Sequence, residues 1–246
     1  MSYKEAIRPF GDEINTGSPG SILSGLYRAI LKELGIEEAR FRMFVDRYVE
    51  STSNGCDSKE LSSMKGNARN ELLKSVMTWK VFLKGLSVLN ITQFEIAVQL
   101  YMDDDKNNVA LVKRVTLSRN KIEAEKQIEN SGTILSGIFK EAMFQMDIDI
   151  DKFNEYVHAF IQRAGVPQNL KEISSARGNL KKELLKPAMT WNLFIKGMVF
   201  LKVKKFDIGI SLHHFNGKIT QHYRSIVLDY VNPEDMEGAT SSKNSD

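Results

Sequence analysis

The sequence predicts an α+β fold, mostly α, built as a tandem duplication of a four-helix plus β-hairpin module. Three observations predict it. The chain matches itself at one constant offset, apolar residues recur at helical spacing through most of each repeat, and the pattern switches to strict alternation near each repeat's end.

The offset is 112 positions. Ile22, Leu23, Ser24 and Gly25 fall on Ile134, Leu135, Ser136 and Gly137, and Met77, Thr78 and Trp79 fall on Met189, Thr190 and Trp191. Phe94, Ile96 and Leu100 fall on Phe206, Ile208 and Leu212 with no gap anywhere. Between Ser62 and Leu89, 15 of 28 positions are identical to Ser174–Leu201. Two copies are too few for a solenoid, so the match reads as two homologous modules. The organisation expected is an N-terminal extension (1–19), a first module (20–117), a charged linker (118–131), a second module (132–228) and a tail (229–246). The linker holds Lys121, Glu123, Glu125, Lys126 and Glu129 without proline, as a short helical connector would. The tail is poor in apolar residues and reads as disordered.

Within a module, Ile22, Leu26 and Ile30 form the stripe of a first helix, with Gly35 as its stop. A second helix carries Phe41, Phe44, Val45, Tyr48 and Val49, mirrored by Phe153, Tyr156, Val157, Phe160 and Ile161. A third spans about 59–74 and 171–186, closed in the second copy by Pro187. A fourth starts after the N-cap candidates Thr78 and Thr190, with Trp79, Phe82, Leu83, Leu86 and Leu89 on one side. Gly85 and Gly197 inside it would cost about 1 kcal/mol against alanine, so their recurrence predicts close approach of another backbone. The tryptophans sit on the apolar face and are expected in the core rather than as stacking platforms for bases. Alternation of Phe94, Ile96, Val98 and Leu100 marks a half-buried strand, and Asn216-Gly217 marks a hairpin turn.

Bulk composition excludes several classes. Apolar residues make 42% and charged residues 26%, as in ordinary globular chains, and no apolar run reaches the ~18–20 residues that span a bilayer. Met1–Gly20 lacks the apolar core of a secretory signal. Cys56 is the only cysteine, so no internal disulfide forms, which fits a reducing, cytoplasmic compartment. No phosphate loop, dinucleotide fingerprint, nucleophile elbow or zinc-protease motif occurs. Asp147, Asp149 and Asp151 imitate the start of a calcium loop, but Lys152 and His158 stand where glycine and glutamate belong. His213 and His222 would lie diagonally on one face if Asn216-Gly217 were a two-residue turn, yet two ligands make a poor metal site. None of the four histidines recurs in both copies, so no shared catalytic constellation is visible and no cofactor is expected.

Net charge is only +3, but its distribution is uneven. In the third and fourth helices of the first copy, Lys59, Lys65, Arg69, Lys74, Lys80 and Lys84 oppose only Glu60 and Glu71. In the second copy, nine cations, among them Arg177, Lys181, Lys182, Lys186 and Lys196, oppose only Glu172 and Glu183. Pairs such as Lys65/Arg69 and Arg177/Lys181 share one helix face, as a phosphate-contacting helix would arrange them. A solvated helix face is the alternative with equal standing.

The stretch from Ile173 to Val203, with its counterpart in the first copy, resembles the back half of helix-turn-helix DNA-binding domains of the phage-repressor and antidote kind. The resemblance implies that Ser174, Ser175, Arg177 and Asn179 lie at the base- and phosphate-reading end. It implies that Glu183, Lys186, Pro187 and Thr190 form the exit and the next cap. Ser75 stands where Pro187 stands in the second copy. The hairpin is similar to the wing of winged helices, a role that Asn216, Gly217 and Lys218 suit and that Asp103, Asp104 and Asp105 oppose. The expectation is therefore a non-enzymatic nucleic-acid-binding protein, duplex DNA favoured over RNA. Its site residues would be Lys65, Asn67, Arg69, Lys74, Lys84, Arg177, Asn179, Lys181, Lys182, Lys186 and Lys196. The rival expectation is a structural or adaptor protein that binds other proteins in an assembly; an enzyme ranks third.

Overall fold

The computed structural model describes residues 19–53, 55–101, 109–163, 170–203, 205–213 and 217–228. Both terminal segments and the first hairpin's turn therefore lie outside the described residues. The first half runs α1 (Pro19–Glu33), α2 (Glu38–Thr52), α3 (Ser58–Leu73), α4 (Trp79–Val88), β1 (Gln93–Tyr101) and β2 (Val109–Thr116). After a connecting α5 (Lys121–Glu129), the second half runs α6 (Gly132–Gln145), α7 (Ile150–Arg163), α8 (Leu170–Leu184), α9 (Trp191–Phe200), β3 (Lys205–His213) and β4 (Ile219–Val227). The fold is α+β and mostly α, with helices backing one antiparallel sheet.

The helices begin and end where local chemistry dictates. Thr78 Oγ1 accepts from the Val81 amide at 3.3 Å and Thr190 Oγ1 from the Leu193 amide at 3.2 Å, each satisfying a donor that the first turn leaves open. After α1, Gly35 turns left-handed (φ +59°), and the Ile36 amide reaches back to the Leu31 carbonyl at 3.0 Å. This is the double-bonded helix stop for which glycine is favoured. Asp147 makes the same turn after α6 at φ +52°.

The four strands lie in the order β2-β1-β3-β4, all neighbours antiparallel. At the centre Ala97 lies opposite Gly209, and Phe94 opposite Leu212 while Leu100 lies opposite Phe206. Ala97 and Gly209 are 112 positions apart, and the same offset exchanges the Phe94–Leu212 pair with the Phe206–Leu100 pair, so an approximate two-fold axis passes through the Ala97–Gly209 pair. The pairing is self-complementary in the way a symmetric dimer interface is. Segments 20–117 and 132–228 consequently do not close separate sheets. α1 packs on α4 and also reaches β4 and α9 of the other half, while α6 packs on α9 and reaches β2.

The core follows the same axis. Phe94, Ile96, Val98 and Leu100 with Phe206, Ile208, Ile210 and Leu212 cover the helix side of the sheet, all buried. Trp79 and Trp191 are buried and stack on each other, centroids 6.1 Å apart and 15° from parallel. Burying one large side chain is worth roughly 1.5–3 kcal/mol. Backbone ties recur at the same offset. The Met77 amide donates to the Gly20 carbonyl and the Met189 amide to the Gly132 carbonyl, both at 2.9 Å. Ser24 Oγ donates to the Lys74 carbonyl at 2.9 Å and Ser136 Oγ to the Lys186 carbonyl at 2.8 Å. A side chain at Gly20 or Gly132 would drive its Cβ to 2.9 or 2.8 Å from the Met77 or Met189 carbonyl oxygen.

Two expectations are corrected. Gly85 and Gly197 admit aromatic rings, not a backbone. A Cβ at Gly85 would meet the Tyr27 ring at 2.5 Å, and one at Gly197 the Phe139 ring at 2.8 Å. Asn216, the first residue of the expected two-residue turn, lies outside the described residues, but the ladder beside it departs from the register expected for such a turn. The last ladder pair is His213 opposite Ile219, one position from the register a two-residue turn imposes. Because strand side chains alternate, that slip sends His213 to the outer face, beside Glu95, and His222 to the inner face opposite Ile210, so the two are not diagonal neighbours. The charged linker does form a helix. Asn120 caps it by accepting from the Ile122 and Glu123 amides, and Ala124 and Ile128 are buried.

Candidate nucleic-acid interface

α3 and α8 carry the basic residues that the sequence singles out. α3 opens at Asp57, whose carboxylate accepts from the Lys59 and Glu60 amides at 2.8 Å each. Asn67 and its counterpart Asn179 are therefore mid-helix and exposed, not helix caps. The Ser174–Asn179 stretch likewise lies inside α8 rather than at its start.

In the first half the cations turn inward. Lys65 pairs with Glu50 and Arg69 with Asp46, both on α2, and Lys84 of α4 reaches Glu71 of α3 at 3.6 Å. Arg69 and Asp46 are each about two-thirds covered (31% exposed), so this pair is partly desolvated and fixes the guanidinium against α2. Of the predicted first-half residues, only Asn67 and Lys74 are exposed and outside any ion pair among the described residues.

The second half differs at those places. Lys196 repeats the Lys84 pair by reaching Glu183 at 3.5 Å. The positions of Asp46 and Glu50, however, are His158 and Gln162. Arg177 accordingly contacts the His158 ring and makes no ion pair among the described residues. Lys182 and Lys186 are exposed and Lys181 is half-buried, and none of the three makes an ion pair among the described residues. Lys182 replaces Asn70, which adds a charge that α3 lacks. The end of α8 thus presents three lysines beside Arg177. Lysines there also meet the partial negative charge of the helix C-terminus, which favours a cation by about 0.3–1 kcal/mol.

Residues that the sequence reading passed over are Asp46, Glu50 and Glu125. The first two decide whether a basic helix is neutral, and their replacement by His158 and Gln162 at the constant offset was visible in the sequence. Glu125 of α5 accepts from the Tyr48 hydroxyl, and burial together with that carboxylate holds the Tyr48 phenol well above its ordinary range. Among the described residues no three His, Cys, Asp or Glu side chains gather as a metal site, and no helix is long and apolar enough to cross a membrane. Asp149 serves as a helix cap, accepting from the Asp151 and Lys152 amides at 3.1 and 2.8 Å. No protein-family model, curated protein or solved structure matches the chain.

Proposed function

We propose that the chain is a duplicated, non-enzymatic nucleic-acid-binding protein, with duplex DNA favoured, whose principal contact is α8 of the second half. One observation carries the reading. At the constant offset the sequence replaces the carboxylates that neutralise α3 by His158 and Gln162, while α8 gains Lys182. Cations that no carboxylate neutralises among the described residues, such as Arg177, Lys181, Lys182 and Lys186, can exchange small counterions for phosphates. The first half, whose Lys65 and Arg69 are engaged, supplies the scaffold and little affinity.

The test is duplex binding measured as a function of salt. Arg177→Ala with Lys181→Ala should weaken binding across unrelated sequences and lower the log–log salt slope by roughly two, about one per lost phosphate contact. Lys65→Ala with Arg69→Ala should leave the slope unchanged. A parent protein that does not retard duplex DNA at moderate salt refutes the proposal.

A second reading, an adaptor that binds proteins, rests on a different observation. Phe144 and Ile150 are 77% and 60% exposed, where the first half has Lys32 and Glu38. Large apolar side chains in place of two charged ones suit a protein contact. Phe144→Lys with Ile150→Glu would restore the first half's surface. DNA binding that survives this change, with loss of a protein partner, favours the adaptor.

A further inference from the structure

The turn between α6 and α7 differs from the turn between α1 and α2 in two respects at once. Its apolar surface grows, since Phe144 and Ile150 are mostly exposed where the first half has Lys32 and Glu38. Its charge falls. Residues 28–40 are neutral, with Arg28, Lys32 and Arg40 against Glu33, Glu37 and Glu38. Residues 140–152 carry −2, with Lys140 and Lys152 against Glu141, Asp147, Asp149 and Asp151. Asp147 takes the left-handed position that Gly35 fills in the first half, at φ +52° against +59°, a conformation that L side chains rarely adopt. Lys152 Nζ holds its carboxylate at 3.0 Å, while Glu141 and Asp151 are exposed and make no ion pair among the described residues.

A complementary surface lies at the end of α8. The Leu185 amide donates to the Lys181 carbonyl at 3.0 Å, so helical spacing continues past Leu184 and puts Lys182, Leu185 and Lys186 on one face. All three are exposed, and neither lysine makes an ion pair among the described residues. The first half has Asn70, Leu73 and Lys74 there, one cation fewer. Within one molecule the two surfaces stand towards opposite ends of α6. Ser136 Oγ donates to the Lys186 carbonyl at 2.8 Å, and Phe144 lies eight residues further on, roughly 12 Å along the helix axis.

We infer that the α6–α7 turn is a self-association site whose occupant is the end of α8 of a second copy. Leu185 of that copy covers Phe144 and Ile150, and its Lys182 and Lys186 face Glu141 and Asp151. Charge selects this pairing. Two turns of charge −2 repel each other, as do two lysine-bearing ends of α8, whereas one of each attract. Because the two surfaces differ, the contact is heterologous: a pair still offers one free surface of each kind, and copies add into a ring or an open chain. Self-association here is a specific form of the adaptor reading and stands on the same exposed pair, Phe144 and Ile150. Nucleic-acid binding is not required for it, although a duplex and a second copy would compete for Lys182 and Lys186.

The test is sedimentation velocity of the full chain from micromolar to near-millimolar concentration, under reducing conditions so that Cys56 forms no bridge. The parent should associate as concentration rises, and salt should weaken that association. Phe144→Lys with Ile150→Glu removes one surface, and Lys182→Glu with Lys186→Glu removes the other; circular dichroism like the parent's shows that each variant folds. Each variant alone should stay monomeric. An equimolar mixture of the two should form a dimer and nothing larger, because only one intact surface of each kind remains. A parent that is monomeric throughout, or a mixture that does not pair, would overturn the inference. So would an α8 variant that associates as the parent does, which would mean that two turns pair through Phe144 and Ile150. Titration with duplex DNA keeps the nucleic-acid reading separate. The variant at Phe144 and Ile150 retains α8 and should bind duplex as the parent does, and a parent that associates without retarding DNA fails that reading alone.

Discussion

Asp46 and Glu50 on α2 hold Arg69 and Lys65; at the same places α7 has His158 and Gln162. Lys32 and Glu38 become Phe144 and Ile150, and Ser87 becomes Val199. The inward contacts do not diverge in this way. The tryptophan pair and the Ser24 and Ser136 bonds recur at one offset. The difference has a physical cause. A residue near the two-fold axis packs against its own counterpart or against the neighbours of that counterpart, so a change there must suit both halves. A residue on the outside of α7 or α8 answers only to solvent and its partners, and each half is free to vary it.

The largest effect should come from breaking what the halves share. Trp191→Ala should destabilise the protein by about 3–5 kcal/mol, and Trp79→Ala by a similar amount. Because the rings stack on each other, the double variant should cost less than the sum by about 0.5–1.5 kcal/mol. Urea unfolding followed by circular dichroism measures both quantities. One cooperative transition is expected for the parent, since β1 and β3 share a ladder and the helices of each half reach the other. Two separated transitions would mean that the halves fold independently and would end the idea of a common core.

A smaller effect should distinguish the halves at an equivalent site. Gly85→Ala pushes a methyl into the Tyr27 ring at 2.5 Å, and Gly197→Ala into the Phe139 ring at 2.8 Å. Overpacking of this kind costs about 1–3 kcal/mol, with Gly85→Ala the more damaging of the two because the clash is closer. Phe139→Leu should recover part of the loss in Gly197→Ala. An equal loss with or without Phe139→Leu would assign the cost to the helix backbone rather than to the ring.

Grafting charge between the halves sharpens the functional comparison. His158→Asp with Gln162→Glu gives the second half the carboxylates of the first. Duplex affinity should fall by roughly tenfold and the salt slope by roughly two, without any lysine being removed. The reverse graft, Asp46→His with Glu50→Gln, should free Lys65 and Arg69 and steepen the slope. Unchanged slopes in both grafts, read from titrations at several salt concentrations, would make the basic helices solvated faces.

Helix and strand positions were legible because burial periodicity is local: Ile22, Leu26 and Ile30, or Phe94, Ile96 and Val98, declare a face within a few residues. Thr78 and Gly35 were legible for the same reason, each acting on a turn it touches. The central β1–β3 pairing was not, because nothing in either strand says which edge it will meet more than a hundred residues away. The hairpin register was misjudged by one position, since Asn-Gly favours a two-residue turn while the buried set Thr220, His222 and Ile226 holds the longer connection. In the candidate site, residue type and helical spacing revealed the cations. Whether a cation is free depends on the helix beside it, and only the comparison of Asp46 with His158 carries that information.

The finest distinction between the two readings of α8 lies at Asn179. Its amide can make the paired donor–acceptor contact with an adenine edge, and its exposed mid-helix position leaves no capping bond to lose. Asparagine is a poorer helix former than alanine, so Asn179→Ala should stabilise the free protein by about 0.5 kcal/mol, and Asn67→Ala should do the same. Thr190→Ala, which removes a working cap, should instead destabilise by about 1 kcal/mol and serves as the control. If α8 enters a major groove, Asn179→Ala should also flatten the preference among duplex sequences by about 1–3 kcal/mol at one base pair, while Asn67→Ala leaves it intact. A preference unchanged by either variant would confine α8 to the phosphate backbone, and binding would then depend on salt but not on sequence.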